Sequence, residues 1–333
     1  MKVLYCGSNN GTSRSRKNGL MKMGYDVINF ELEKNILTNF KWFQYLEQKS
    51  LNILNLKSVN RQLINKVKKI NPNLIWIDKG TYVYKETLEK IKKFNNNIVI
   101  VHHNTDDIES NKHQFSNYLN SLDLYDAHFT CNKFNIDYLK QISSSHFFYN
   151  EIGYDQNIFY PNNSDKKYDL FFIGHHEPEY EKYVSEVIET DTKFFLGGPG
   201  WYSSKISKSN ISFNNFNEKI YPKIINSSLA GLGLYSKWNR NISSGRIFEI
   251  PACKTALIVK RNHFIKSIYQ EDSEAIFFDN PSELSSKIKS LVDNKKILIE
   301  IAENGYRRCL NNKCTWDDRI EEACNDLIVN KII

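Results

Sequence analysis

The chain has 333 residues, which exceeds one compact core of ordinary size and predicts two domains of roughly 150 residues each. Its hydrophobic fraction of 41% is enough for two such cores, and Lys plus Arg exceed Asp plus Glu by 45 to 38, a formal charge of +7. The basic residues are scattered, which argues against a nucleic-acid partner and suits a small anionic ligand or loose contact with an anionic membrane surface.

The N-terminus, MKVLYCGSNNG, reads as a buried strand over 2–6 and a turn, without the apolar core of a signal peptide. A helix over 13–23, a strand over 26–30 and a long amphipathic helical region over 38–70 follow. The pattern repeats with a strand at 74–78, a helix at 84–94 and a strand at 98–102. Next come a polar loop, a helix near 109–121 and a strand at 127–131. Short, nearly continuous apolar strands separated by helices predict a parallel sheet covered on both faces, a Rossmann-like unit.

Residues 150–167 turn to Asn, Pro, Asp, Ser and Lys, the chemistry of an exposed connection. A second alternation then begins with a strand at 169–173, a helix at 180–189, a strand at 193–196 and a long loop. It continues with a helix at 218–227, strands at 229–234, 256–259 and 275–278, and a helix at 282–292, with the short helix of Glu249 inside it. The tail, 295–329, is helical in pattern, and part of it is expected to pack back on the first half. The expected class is therefore α/β, with two Rossmann-like domains facing a central cleft. Their boundaries are 1–155 and 156–312, with 313–333 crossing back as a final helix. No run approaches the ~20 apolar residues of a membrane span, so a cytoplasmic protein with at most peripheral contact at the inner membrane face is expected.

Cys6, Cys131, Cys253, Cys309, Cys314 and Cys324 lie in apolar contexts without CxxC or Cys/His spacing, which predicts reduced core thiols and no metal site. The most informative stretch is SSGRIFEIPACKTALIV at 243–259. Ser243, Ser244 and Gly245 can turn backbone N–H groups toward a phosphate at a helix start, and Glu249 follows about one turn later. A nucleotide sugar needs donors for its diphosphate and a carboxylate for its ribose; a capped core helix with a solvated Glu fits the same letters. Lys182, Lys237, Arg240 and Arg246 are candidate cations, with Lys237 and Arg240 preferred. Ordinary surface charge competes for all of them and is favoured for Lys182. The second half has no DxD-like acidic pair at a strand end, which points to a metal-free route.

Two glycine-bearing turns follow strands in the second half. Gly174, His175 and His176 end DLFFIG, where a glycine lets backbone approach a ligand closely, although a tight turn with exposed histidines fits equally. Residues 197–200, GGPG, either border a nucleotide base or simply connect. In the first half, GSNNG bends the chain before Arg14 and Arg16 without the GxGxxG spacing of an oxidoreductase. His102, His103, Asp106 and Asp107 follow another strand, at the edge where open α/β sheets bind ligands. His103 or Asp106 suits a general base, or a group orienting the hydroxyls of a ligand. The alternative is a capping Asp pair with a buried His.

Asp126-Ala-His-Phe-Thr with its following helix, then Gly153-Tyr-Asp155, Phe159-Tyr-Pro161 and Arg246-Ile-Phe-Glu249-Ile-Pro-Ala-Cys253, stand in the order seen in group 1 glycosyltransferases. The chain resembles this family over most of its length. NPNLIWIDKG through VHHNTDD, then Asp279, Pro281, Glu283, Leu284, Ala302, Gly305, Trp316 and Arg319, resemble in particular its CgeB-type, spore-maturation-protein-like members. The resemblance implies a GT-B fold and a nucleotide-diphosphate sugar as substrate, with no further cofactor or metal. It implies donor contacts at Gly174, His175, Lys237, Arg240, Ser244, Gly245, Arg246 and Glu249. Chemistry would fall to His103 and Asp106, with Ser8, Asn9, Arg14 and Asp107 on the acceptor side of the cleft. The acceptor would be a glycan, a lipid-linked glycan or another molecule of surface polysaccharide or glycoconjugate synthesis, with stereochemistry open. Two departures stand out: Asn241 replaces the acid eight positions before Glu249, and Lys254 occupies a usual glycine, where it reshapes the turn or adds a cation near the donor. A noncatalytic nucleotide- or sugar-binding protein and a nucleotide-sugar epimerase are the competing readings.

Overall fold

The computed structural model describes residues 1–32, 56–110, 115–201, 206, 211–214, 219–237, 239–240, 242–292 and 294–333. They divide into two compact units, Met1–Ile152 with Trp316–Ile333, and Gly153–Thr315.

The first unit alternates β1 (Lys2–Cys6), α1 (Gly11–Lys22), β2 (Asp26–Asn29), α2 (Leu56–Ile70), β3 (Leu74–Asp78), α3 (Lys85–Phe94) and β4 (Val99–Asn104). It continues through α4 (Ser116–Leu119), β5 (Ala127–Thr130), α5 (Lys133–Ile142) and β6 (His146–Tyr149). The six strands pair in parallel in the order β2-β1-β3-β4-β5-β6. The chain runs from β1 to one edge and returns at β3, so the crevice where ligands bind in open α/β sheets falls between the carboxyl ends of β1 and β3. Strands such as LIWID are buried along their whole length because helices cover both faces. In α2, Val59, Leu63 and Val67 recur every four residues and are wholly buried, giving the helix one core-facing stripe.

The second unit runs β7 (Tyr168–Ile173), α6 (Pro178–Ile188), β8 (Phe194–Gly197), β9 (Ile211–Asn214), α7 (Tyr221–Asn226) and β10 (Ser228–Gly233). Then follow α8 (Arg246–Ala252), β11 (Ala256–Lys260), α9 (His263–Ile268), β12 (Ile276–Phe278), α10 (Pro281–Val292) and α11 (Lys295–Asn311). Its parallel order is β12-β11-β10-β7-β8-β9, which puts the reversal between β7 and β10. The last helix, α12 (Trp316–Val329), belongs to the first unit. It packs on α1 and buries Ile320, Ala323, Cys324 and Leu327 against Val3, Leu20 and Trp76. Each fully buried Ile or Leu of this kind contributes roughly 1.5–3 kcal/mol, enough to hold the chain's end in place.

Several elements differ from the sequence expectation. β6 and β9 are four-residue edge strands, each paired with one neighbour and set in polar sequence, so neither carries the long apolar run that marks the central strands. In place of a helix over 109–121 there is the short α4 and a 3-10 turn at Leu122–Leu124, with residues 111–114 outside the described residues. The same holds for 38–55 of the long helical region and for Glu218, the first residue of the helix expected at 218–227. All six cysteines are buried and unpaired with one another. Among the described residues no helix is long and apolar enough to cross a membrane.

Candidate functional site

At the reversal point of the second sheet, Arg246 bridges the two strand ends. Its Nη1 donates to the Ile173 carbonyl at 3.0 Å and its Nη2 to the Leu234 carbonyl at 2.8 Å, while the guanidinium lies 5.1 Å from the centre of the Phe172 ring. These bonds fix the mouth of the crevice and direct the guanidinium at backbone, so Arg246 acts as a brace. One helical turn later Glu249 folds back under the start of α8: an added Cβ on Gly245 would stand 2.9 Å from Glu249 Oε1. Its other oxygen, Oε2, accepts a 2.9 Å bond from the Tyr221 hydroxyl. Burial pushes the Glu249 carboxyl up to about 7, against the opposing pull of the Tyr221 bond and the Arg246 charge. A carboxyl at this pH boundary, half-buried and held by one oxygen, is suited to accept hydroxyl hydrogen bonds from a ligand.

Helix α8 has seven residues, no side-chain cap and Pro251 in its last turn, and Ser244 beside it keeps a buried Oγ without a partner. Ser243 is buried. Lys254, just beyond α8, has the left-handed backbone (φ 53°) that favours glycine. Its ammonium pairs with Glu303 on α11, so the expected extra cation near the donor is corrected to a surface ion pair.

The turn after β7 is tightly fitted. Gly198 has φ 121°, and a Cβ there would lie 2.1 Å from the Gly174 carbonyl oxygen, so only glycine allows the two strand ends to meet. Trp201 Nε1 donates to that same carbonyl at 2.9 Å, and His176 Nε2 pairs with Glu181 at 2.7 Å. His175 is exposed at the turn. Beside the carboxyl ends of β10 and β11 lies a cavity of about 350 Å³, lined by Tyr180, Tyr183, Lys237, Arg240, Lys260 and Arg261 among others. Lys237 pairs with Glu179 at 2.9 Å, and Lys182 reaches the same carboxylate at 3.0 Å. Arg240 is exposed, with a left-handed backbone at φ 45°. Lys260 lies 5.3 Å from the centre of the Tyr183 ring, and Arg261 is held by Glu271 and Asp279. Asn241 lies outside the described residues.

In the first unit the corresponding crevice is filled by side chains. Asp78, the last residue of β3, accepts from Arg16 Nη2 at 2.9 and 2.8 Å and from the Tyr5 hydroxyl at 2.7 Å, all of them buried. Burial alone would raise the Asp78 carboxyl; the Arg16 charge outweighs it and holds the group down at about 2. Trp316 closes the cluster from α12, its ring centre 4.6 Å from the Arg16 guanidinium.

His103 lies beside this cluster, 0% exposed, its ring against both Trp76 and Phe129. Its Nε2 donates to Asn150 Oδ1 at 3.2 Å, and Asn150 Nδ2 donates to the Arg319 carbonyl. Burial, assisted by the Arg16 charge, drives the imidazole down to about 3. A neutral ring with no exposed edge does not touch a substrate, so the expectation of His103 as a base is corrected to a supporting role. Asp107 is likewise corrected from a cleft residue: it is fully buried and accepts from the Glu109 N–H and from Asn135 Nδ2 at 2.8 Å, tying the loop to α5.

Asp106 remains partly accessible, paired at 2.8 Å with Lys79, whose backbone is left-handed at φ 63°. Asn9 is exposed; its side chain accepts from Lys17 and its N–H reaches Glu31 at 3.4 Å. Ser8 is half-buried, its Oγ accepting from the Asn10 N–H at 3.3 Å, and Arg14 is half-buried in the first turn of α1. Sequence reasoning missed Tyr221, Glu179 and the Arg16–Asp78 pair because their partners come from distant segments. The separation is 28 residues for Tyr221 and Glu249 and 62 for Arg16 and Asp78.

Residues 181–325 match the model of a family described as glycosyl transferase-like, a stretch that includes the whole Glu249 region. No curated protein sequence matches the chain. Solved structures do. Sucrose-phosphate synthase from Thermosynechococcus elongatus is 11% identical, with a TM-score of 0.68 over 99% of this chain and 98% of its own. HepE of Anabaena, in complex with UDP-glucose, is 13% identical with a TM-score of 0.68 over 99% and 100%. A glycosyltransferase from Rickettsia africae is 11% identical with a TM-score of 0.64 over 97% of each chain. At these identities the likeness is one of fold: α/β, with two parallel-sheet Rossmann-like domains, as in GT-B glycosyltransferases.

Proposed function

We propose that the protein is a glycosyltransferase that moves a sugar from a nucleoside-diphosphate donor, most simply a UDP-sugar, to a hydroxyl acceptor. The observation that carries this reading is the Glu249 carboxylate, half-buried at the reversal point of the second sheet and inside the stretch matched by the glycosyl transferase-like family. In it, Glu249 accepts the ribose hydroxyls and the Gly174–His175 turn lies along the diphosphate. Ser244 and Gly245 border the same ligand, and Arg246 keeps the strand ends in register. Lys237 and Arg240 neutralise the leaving diphosphate, with Lys237 exchanging its Glu179 partner for phosphate. On that account transfer needs no metal ion, and turnover should persist in a chelator. Asp106 orients the acceptor hydroxyl from the first unit, alongside Ser8, Asn9 and Arg14. The CgeB-type likeness, a glycan or lipid-linked acceptor in surface glycoconjugate synthesis, and work at the cytoplasmic membrane face belong to the same proposal and rest on sequence order and charge.

The test is incubation of purified protein with labelled UDP-glucose and a panel of related donors, followed by analysis of the released nucleotide and the sugar. Release of UDP with transfer or hydrolysis is expected. An epimerised sugar would replace this reading with an epimerase, and tight binding without turnover on any acceptor would leave a binding protein. Glu249→Gln should weaken UDP binding by about 1–3 kcal/mol, the contribution of a charge-assisted hydrogen bond, and unchanged affinity in the folded variant would remove Glu249 from the site.

A further inference from the structure

Glu249 does not hold its own orientation. The Tyr221 hydroxyl reaches it from α7, on the other side of β10 in sequence, and Oε1 accepts no hydrogen bond from any described residue. Tyr221 is itself immobilised. It is 8% exposed, its ring meets Phe159 edge-on at 5.5 Å and Phe171 at 6.5 Å, and Phe159 belongs to the connection that opens the second unit. A rigid aromatic anchor with its polar tip on a carboxylate is the arrangement by which a neighbouring residue sets a ligand-binding group.

We propose that Tyr221 is a positioning residue for Glu249, its hydroxyl fixing one carboxylate oxygen so that the other is presented to a ribose hydroxyl. This rests on the reading of Glu249 as a nucleotide ligand. The direction of the bond is unambiguous: burial and then the Glu249 charge keep the phenol well above its usual range, so Tyr221 holds its proton and donates. The titratable and charged groups facing Glu249 are Tyr221 from α7 and Arg246 and Cys253 from α8 and its end. Tyr221 and Arg246 favour the carboxylate form; burial opposes them. Without the phenol hydroxyl the balance moves toward the neutral acid, which accepts from a ribose diol through one oxygen less.

The experiment is calorimetry of UDP binding to the full chain between about pH 6 and 9 for four proteins: native, Tyr221→Phe, Glu249→Gln and the double variant. Native affinity should fall about tenfold from pH 8 to 6 beyond the change shown by Glu249→Gln, which supplies the baseline of UDP's own ionisation. Tyr221→Phe should bind at least about fivefold more weakly at pH 7, with the gap closing toward pH 9 as the carboxyl ionises. In the Glu249→Gln background the same change should cost nothing further. If Glu249→Gln weakens binding but Tyr221→Phe keeps native affinity and pH profile, the positioning role is wrong and the nucleotide reading stands. If Glu249→Gln binds UDP as tightly as native protein, the nucleotide reading itself fails. A loss in Tyr221→Phe that is equal at every pH and persists in the double variant would mark a merely structural tyrosine.

Discussion

Each unit places an arginine at the reversal point of its sheet, and the two are treated in opposite ways. Arg16 meets a buried carboxylate, a phenol and the face of a tryptophan, so the crevice between β1 and β3 is filled by the protein's own groups. Arg246 donates to two backbone carbonyls and lies over the Phe172 ring, and the carboxylate one turn away, Glu249, is left with an oxygen that no described residue uses. The same topological position is therefore filled by an ion pair in one unit and left with a partly satisfied carboxylate in the other, where the proposed function puts its ligand. What distinguishes them is whether the acid bonds the arginine: Asp78 does, whereas Glu249 feels the Arg246 charge without a direct bond to it. Titration follows the same division: Asp78 is pulled down beside Arg16, while Glu249 is pushed up by burial that its neighbours offset only in part.

The sharpest way to break this contrast is Asp78→Asn, which leaves the Arg16 charge buried without a counter-ion. It should destabilise the first unit by about 3–5 kcal/mol in denaturant unfolding, and a loss below about 1 kcal/mol would show that the Arg16–Asp78 contact is not an ion pair in energetic terms.

Next in size is acid. Buried His102 and His103 are driven down from 6.5 to about 4 and about 3, so the folded first unit binds fewer protons than the unfolded chain below pH 6.5. The stability they provide is complete above pH 6.5 and is lost as pH falls toward 4, on the order of 2–3 kcal/mol for each by about pH 4.5. Amide exchange at falling pH should therefore open the first unit before the second, and simultaneous opening would contradict the assignment.

Glu249 has the reverse sign. Its folded value, about 7, lies above the ordinary 4.5, so burial costs stability as pH rises through those values, on the order of 3 kcal/mol in all. Glu249→Gln should match native stability near pH 4.5 and exceed it at pH 8, a gain in folding made at the site where binding is lost. A thermal-melt series with equal stability at both pH values would show the carboxyl to be solvated. Smallest is Lys254→Gly, which relieves a left-handed backbone at the cost of the exposed pair with Glu303. A net gain of about 0.5–1 kcal/mol is expected in the same melts.

The parallel sheets were legible in the sequence because strands covered on both faces are continuous apolar runs, as in LIWID and DLFFI, and helices between them repeat at 3.6 residues. The short edge strands β6 and β9 were not, since pairing with a single neighbour leaves no such run. Glu249 was legible as an acid in an otherwise apolar turn, and the departure at Lys254 marked a real left-handed residue, though its charge points to Glu303. The first unit was misread where it mattered: His103 and Asp107 carry the side chains of catalysis, but only tertiary burial decides that one is a core ring and the other a loop fastener. Tyr221 gave no signal at all, because a hydrogen bond between two helices joined through β10 has no characteristic spacing.

The central claim is that nucleotide binds at the open crevice of the second unit and not at the filled one of the first. Hydrogen–deuterium exchange with and without saturating UDP addresses it directly. The account predicts slowed exchange at the Gly174 turn, at the start of α7 and through α8, with the amides around Asp78 and His103 unchanged. Protection confined to the ends of β1, β3 and β4, with α8 unaffected, would contradict it.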